Sequence, residues 1–236
     1  MSLPLVIVGP GRLGRSIARL LSERDRAFEL VGRGEPIPAA QVTWLTVADK
    51  DIATASSAVP QGGVVLHASG ALEHSVLRPH TCVGSLHPLM SFPGPEIGMP
   101  QTDIPAAVAG DEDAIAAAIQ LADDLGFLAV KVPGDRTLYH AAAVTAGNFA
   151  TVLLIEASRM LAAAGVPEAD ARALLGPLAI TSIKNAIDHG TESLTGPVAR
   201  GDEGVIASHH EALGKLSPEL SALYAALCDA TRSIAK

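Results

Sequence analysis

Cysteine is nearly absent from this chain. Cys82 and Cys228 are the only two, and they lack metal-ligand spacing. That excludes a disulfide scaffold and a cysteine-built metal site, so both are read as free thiols of a reducing cytoplasm. An excess of basic charge is missing as well. The formal net charge is −8, with 17 Lys and Arg against 25 Asp and Glu. Binding to a phosphate backbone needs clustered cations, so nucleic acid is not an expected partner, and an acidic surface is not drawn to an anionic membrane. The opening apolar run, Leu3–Val8, is far shorter than a membrane span and has no basic segment before it. It reads as a first β-strand and not as a secretory leader. What remains is 48% hydrophobic and 18% charged over 236 residues, an ordinary globular composition with enough chain for one large domain or two smaller ones.

Short apolar runs alternate with helical stretches over the first 132 residues, the signature of a parallel sheet. Strands are predicted at Pro4–Val8, Phe28–Val31, Val42–Val47, Val64–Ala68, Val83–Leu86, Ile104–Ala109 and Phe127–Val132. Leu13, Ile17, Leu20 and Leu21 recur at helical spacing, and a second helix runs from about Glu112 to Leu125, closed by Gly126. Beyond a turn at Pro133–Gly134 no strand pattern follows. Asp135 is placed to cap a helix reaching about Ala164, and helices follow at about 168–187, 203–214 and 218–235. At 1.5 Å per residue the helix from Asp135 is on the order of 40 Å long, and it is apolar nearly all round, which predicts burial on several sides. The expected class is therefore α/β: a Rossmann-type, mostly parallel sheet over residues 1–132, then an all-α domain over 133–236.

Gly9-Pro10-Gly11-Arg12-Leu13-Gly14 fits GxGxxG between a buried strand and an amphipathic helix. Gly9 permits the tight turn, Gly11 lets a pyrophosphate approach the backbone, and Gly14 lets helix and sheet pack closely. The free N–H groups of Arg12, Leu13 and their neighbours at the helix start then hold the phosphate. A tight strand–helix turn without a ligand is the alternative. About 20 residues on, where NAD-binding domains carry an acid for the ribose 2′-hydroxyl, the chain reads Glu29-Leu-Val-Gly32-Arg33-Gly34. Arg33 suits a 2′-phosphate, which favours NADP; Glu35 nearby leaves NAD as an alternative. Only about ten residues, with Pro36 and Pro38 among them, join the second strand to the third. A helical crossover needs a dozen or more, so the helix that flanks the adenine is expected to be missing.

Polar residues gather beyond other strand ends. Ser69, in His67-Ala-Ser69-Gly70, is placed to meet the nicotinamide or its ribose, or else to stabilise a turn. His87, in Ser85-Leu-His87-Pro88, is held extended by the proline and suits proton transfer or substrate hydrogen bonding, against a buried structural role. On the long helix His140, Val144, Gly147, Asn148 and Thr151 form one stripe at i, i+4, i+7, i+8 and i+11. Gly147 suggests close approach of a ligand, or of another helix. Arg200, in Thr195-Gly-Pro-Val-Ala-Arg200-Gly-Asp202, is a candidate for a substrate carboxylate, with Asp202 as a helix cap.

The glycine loop, His-Ala-Ser-Gly at 67–70, Ser-Leu-His-Pro-Leu-Met-Ser-Phe-Pro at 85–93, Tyr-His-Ala-Ala-Ala-Val at 139–144 with Asn148, and Leu-Thr-Gly-Pro-Val-Ala-Arg-Gly-Asp at 194–202 resemble one family. It is a family of bacterial Rossmann-like proteins of unknown function in the 6-phosphogluconate dehydrogenase-like superfamily. Pyrroline-5-carboxylate reductase, prephenate dehydrogenase and the deazaflavin-dependent NADP reductases are more distantly similar, and His87-Pro88 resembles a His-Pro-Met segment of prephenate dehydrogenases. The resemblance implies a nicotinamide cofactor and a homodimer built through the helical domain, and it names no substrate. The leading expectation is an NADP(H)-dependent oxidoreductase acting on a small carboxylate-bearing molecule, with His87, His140 and Asn148 at its catalytic centre. The alternative is a non-catalytic NADP(H) sensor or partner-binding protein.

Overall fold

The computed structural model describes residues 4–98, 103–132 and 134–235, and the chain forms two compact units, Met1–Gly147 and Asn148–Lys236. The first unit holds all seven expected strands: β1 (Leu5–Val8), β2 (Glu29–Val31), β3 (Val42–Leu45), β4 (Val64–His67), β5 (Cys82–Pro88), β6 (Ile104–Gly110) and β7 (Phe127–Lys131). They make one sheet of order β2-β1-β3-β4-β5-β6-β7. β1 to β5 are mutually parallel, β6 runs antiparallel to β5, and β7 is parallel to β6. Among the described residues no helix lies between Pro88 and Ile104. A loop suffices to join antiparallel neighbours, whereas parallel ones need a crossover.

Both sheet faces are covered, which is why the strands read as continuous apolar runs. On one face Leu5, Ile7, Trp44, Leu66 and Leu86 pack with Ile17 and Leu21 of α1 (Arg12–Ser22) and with Ala118 and Leu125 of α3 (Glu112–Leu125). On the other, Val6, Val8, Leu45, Val65 and Val83 pack with Ile52 of α2 (Ile52–Ser57) and with Leu77. Neighbouring residues of one strand fall in opposite clusters, as the period of two requires. α3 ends on Gly126 at φ 70°, as expected. The second crossover helix is absent. Residues 32–41 leave the edge strand β2 as an irregular segment and reach β3 on the far side of β1.

Asp135 caps α4 (Arg136–Val144), its carboxylate accepting from the N–H groups of Thr137 at 2.7 Å and Leu138 at 3.2 Å; its neighbour Pro133 lies outside the described residues. The long helix is not a plain α-helix. Thr145–Phe149 forms a π turn before α5 (Ala150–Ala163) resumes. A π turn takes in an extra residue, so the expected stripe from His140 to Thr151 is broken at Thr145. The first unit also reaches past the expected boundary at residue 132, because α4 is tied to the turn after β4 by the side chain of Arg136.

The second unit is all-helical: α5, α6 (Glu168–His189), α7 (Pro197–Arg200), α8 (Glu203–Leu216) and α9 (Pro218–Ile234). α8 and α9 bury Ile206, Leu213, Leu220 and Cys228, with Ser217 capping α9 through the Leu220 N–H at 3.3 Å. The expected burial of the long helix on several sides is not found within the single chain. Phe149, Val152 and Ile155 are exposed, and so are Leu174, Leu178, Ile180, Ile183 and Ile187 on α6. The stretch Arg136–Ala163 is long and apolar enough to cross a membrane.

The glycine loop generates a stability test. A Cβ on Gly14 would collide with the Gly9 carbonyl oxygen and come within 2.8 Å of Thr46 Oγ1. A Cβ on Gly11 would meet nothing within 4 Å, and Gly11 has an unstrained φ of −73°. Gly14→Ala is therefore expected to lower unfolding free energy by about 1–3 kcal/mol, and Gly11→Ala by no more than about 0.5 kcal/mol, in urea titrations.

Candidate functional site

The carboxyl ends of β1, β3, β4 and β5 lie side by side, the edge at which open parallel sheets bind ligands. At the end of β1, Gly9 turns the chain at φ 110°, and its N–H donates to the Val31 carbonyl at 3.0 Å. The Thr46 hydroxyl bridges the carbonyls of Val8 at 3.1 Å and Gly9 at 2.9 Å, fixing the loop against β3. α1 then starts with no side-chain cap and no acid in its first turn. Its leading N–H groups, at Arg12, Leu13 and Gly14, have no intrahelical carbonyl to meet, so a bare positive end faces outward. Gly11 stands there exposed, with open space where a side chain would be. The fold itself demands a glycine at 9 and at 14 and not at 11. Arg33 follows β2 on the neighbouring strand, exposed and without a hydrogen bond or ion pair among the described residues, while Glu35 accepts from the Gly32 N–H.

A second group assembles beyond β4 and β5. After β4 the chain turns at Ser69, whose hydroxyl donates to Asp49 Oδ2 at 2.8 Å and accepts from the N–H groups of Ala71 at 3.2 Å and Leu72 at 3.0 Å. That hydroxyl is committed to the turn. The guanidinium of Arg136 clamps the same turn, donating through Nε to the Leu72 carbonyl at 2.9 Å and through Nη2 to the Ser69 carbonyl at 2.8 Å. One helical turn later come Tyr139 and His140, on the same side as Arg136. The Tyr139 hydroxyl is 2.7 Å from His87 Nδ1, and the His87 and His140 rings meet edge-on at 6.0 Å between centroids. Gly70 lies against both rings. A Cβ there would be 2.8 Å from His140 Cδ2 and 2.9 Å from His87 Nε2.

Electrostatics make this group neutral at its centre. Burial, then His140, then the Arg136 charge lower the His87 pKa from 6.5 to about 4. Burial, then Arg136, takes His67 from 6.5 to about 4 also. His67 Nδ1 accepts the Ser69 N–H at 3.2 Å, which puts the ring's one proton on Nε2. Burial raises the Tyr139 phenol. The lowered pKa favours the uncharged ring, in which His87 offers a hydrogen bond.

The structure brings Gly9, Gly11, Arg12, Leu13 and Gly14 together at one strand end, and Ser69, His87 and His140 at another. Asn148, exposed in the π turn, and Arg200, ion-paired with Asp202 at 2.8 Å, belong to the second unit. Asp49, Arg136 and Tyr139 were not singled out from sequence. A signal for Arg136 exists: a cation in the first turn of a helix opposes the macrodipole, so its charge must be spent elsewhere.

Residues 104–231 match the sequence pattern of the family described as Domain of unknown function (DUF2520), more than half of the chain, and the protein belongs to that family. No curated protein matches. Three solved structures share the fold across nearly the whole chain. A Bacteroides fragilis protein described as a candidate NADP oxidoreductase is 19% identical, with TM-score 0.82, covering 98% of each chain. The 1-pyrroline-5-carboxylate reductase of Streptococcus pyogenes is 16% identical, with TM-score 0.63, covering 99% of this chain and 98% of that one. A reductive aminase from Aspergillus terreus, solved with NADPH and ethyl levulinate, is 15% identical with TM-score 0.70, covering 97% and 93%. At these identities the likeness establishes a Rossmann-type fold with a helical region after it.

The lowered histidines predict a pH dependence of stability. A histidine whose folded pKa lies below its unfolded value contributes fully above the unfolded 6.5, and the contribution is lost as pH falls toward about 4. For fully buried His67 the loss is about 2 kcal/mol by pH 5. Urea unfolding at pH 7, 6 and 5 is expected to show this decline. His67→Asn, which cannot titrate there, is expected to remove roughly half of it.

Proposed function

We propose that this member of the DUF2520 family is an oxidoreductase that binds NADP(H) and acts on a small carboxylate-bearing substrate. One observation carries the reading. The bare start of α1 is approached through Gly11, a glycine that neither packing nor backbone conformation requires. A glycine there is explained by a ligand that comes close to the backbone, and the unpaired N–H groups and helix dipole select an anion. The pyrophosphate would be held by the backbone of Gly11, Arg12 and Leu13. Arg33, without a partner among the described residues, would take the 2′-phosphate, which distinguishes NADP from NAD. When bound, the nicotinamide supplies or accepts a hydride. The chain's contribution is the group at the ends of β4 and β5: Arg136 and Ser69 hold the turn, and His87 and His140 offer hydrogen bonds beside Gly70. Asn148 and Arg200 are further candidates, the latter for the substrate carboxylate.

A non-catalytic NADP(H) sensor is the second reading, and the missing helix between β2 and β3 favours it. Without that helix the adenosine end of a bound dinucleotide has one wall fewer, which suits weak, exchangeable binding. Saturable binding with no loss of NADPH absorbance across carbonyl, imine and carboxylate screens supports the sensor; turnover supports the enzyme.

Two tests follow. NADPH fluorescence titrations are expected to show binding to the wild type and none to a folded Gly11→Val protein, since valine fills the open space. Arg33→Ala is expected to weaken NADP(H) by about 1.5–3 kcal/mol while leaving NAD(H) almost unchanged. Equal losses for both would remove Arg33 from the site.

The partner we propose for the helical unit is a second copy of this chain. Ile180, Ile183 and Ile187 lie 52–79% exposed on one face of α6, an apolar surface that an isolated soluble chain rarely leaves open. Lipid is a poor occupant, because the first turns of the long helix carry Arg136, Tyr139 and His140 packed on the sheet. Light scattering is expected to give twice the chain mass, and Ile183→Glu the mass of one chain. A wild-type monomer would refute the dimer.

A further inference from the structure

Resting on the oxidoreductase reading, we propose that His87 serves as an uncharged hydrogen-bond donor, through Nε2–H, to a carbonyl-type oxygen of the bound ligand, with Tyr139 as the positioning residue that fixes this tautomer. The argument starts from the 2.7 Å contact between the Tyr139 hydroxyl and His87 Nδ1. A phenol O–H is a stronger acid than an imidazole N–H, and an imidazole nitrogen is a better acceptor than a phenol oxygen. Tyr139 therefore donates and Nδ1 accepts. A neutral imidazole carries one proton, so that proton is on Nε2.

The surroundings keep the ring neutral. The closest charged side chains are both committed elsewhere: Asp49 accepts from Ser69, and Arg136 donates to the carbonyls of Ser69 and Leu72. His140 faces the ring edge-on and adds no negative charge to hold a second proton. Burial and the Arg136 charge act in the same direction. Nε2 itself has no hydrogen-bond partner among the described residues and is not among the buried, unpaired atoms. It lies against Gly70, where even a methyl group would come within 2.9 Å. The buried Gly70 likewise makes no backbone hydrogen bond through its N–H among the described residues. His87 Nε2–H is thus a donor without an acceptor among the described residues, and the glycine at 70 keeps a side chain from crowding it.

The missing partner is an acceptor. A neutral donor is poorly matched to a full negative charge and well matched to a carbonyl-type oxygen, whose negative charge grows as a hydride reaches its carbon. The carbonyl π pair moves onto that oxygen, Nε2–H stabilises it, and the proton that completes the alcohol comes from solvent or His140, with His87 neutral throughout. The reacting group is then a carbonyl, and a substrate carboxylate, where there is one, binds elsewhere.

Long-range proton–nitrogen correlation spectra of histidine-labelled protein, with the signal assigned by loss in His87→Gln, test the tautomer without any ligand. The wild type is expected to show a single Nε2–H form near neutral pH. Tyr139→Phe keeps the ring and removes the donor, and is expected to give a mixture of both tautomers in a protein that still unfolds cooperatively. An Nδ1–H form or an imidazolium in the wild type, or an unchanged spectrum in Tyr139→Phe, overturns the proposal. NADPH affinity is expected to be the same in wild type and Tyr139→Phe. Loss of NADPH binding by the wild type instead refutes the oxidoreductase reading and leaves the tautomer result standing. Where turnover is found, the substrate is expected to be a carbonyl compound, and Tyr139→Phe to lower kcat about tenfold with KM little changed, the worth of one hydrogen bond. Unchanged kcat overturns the positioning role.

Discussion

A buried guanidinium holds the second cluster together. Arg136 is 8% exposed, and its charge is spent on two backbone carbonyls of the turn after β4. Burying a cation is costly unless its donors are met, and hydrogen bonds to charged groups contribute about 1.5–3 kcal/mol each. The clamp therefore sets two things at once. It fixes the turn whose Ser69 and Gly70 border the histidines, and it fixes the rotation of α4, so that Tyr139 and His140, three and four residues on, face β5. The same positive charge helps to keep His67 and His87 neutral. Fold, geometry and protonation state at this end of the sheet share one origin.

The glycines of the first loop divide by what they serve. Gly9 and Gly14 are demanded by the chain: one has a left-handed backbone, and the other lies where a helix and a strand end meet too closely for any side chain. Gly11 is demanded by neither. A motif read from sequence treats the three alike, and the structure separates the two that build the loop from the one left for a ligand. That separation is what turns a fold resemblance into a statement about binding.

Much of the first unit was legible because its signals are local and strong. Both-face burial writes β1 as an unbroken apolar run and β3 and β4 as nearly so, and Gly126 and Asp135 mark helix ends by chemistry that acts within a few residues. The short link through Pro36 and Pro38 announced the missing crossover helix. The π turn at Thr145–Phe149 was not read from the sequence: Gly147 and Asn148 within it were assigned to a ligand or helix contact, and the turn broke a stripe drawn at ideal spacing. The Ser69–Asp49 and Arg136–Leu72 contacts join residues 20 and 64 apart in sequence, so periodicity carries no trace of them. The apolar breadth of the long helix predicted burial on several sides, and that burial is not found within one chain.

The central claim is that a dinucleotide lies across the strand ends, with its pyrophosphate at Gly11 and its reactive ring toward His87. A crystal structure of the protein grown with NADPH tests it most directly. The account predicts pyrophosphate oxygens on the N–H groups at the start of α1, the 2′-phosphate beside Arg33, and the nicotinamide near Gly70 and the two histidines. NADPH bound away from the β1 loop, or crystals that hold none at saturating concentration, would contradict it.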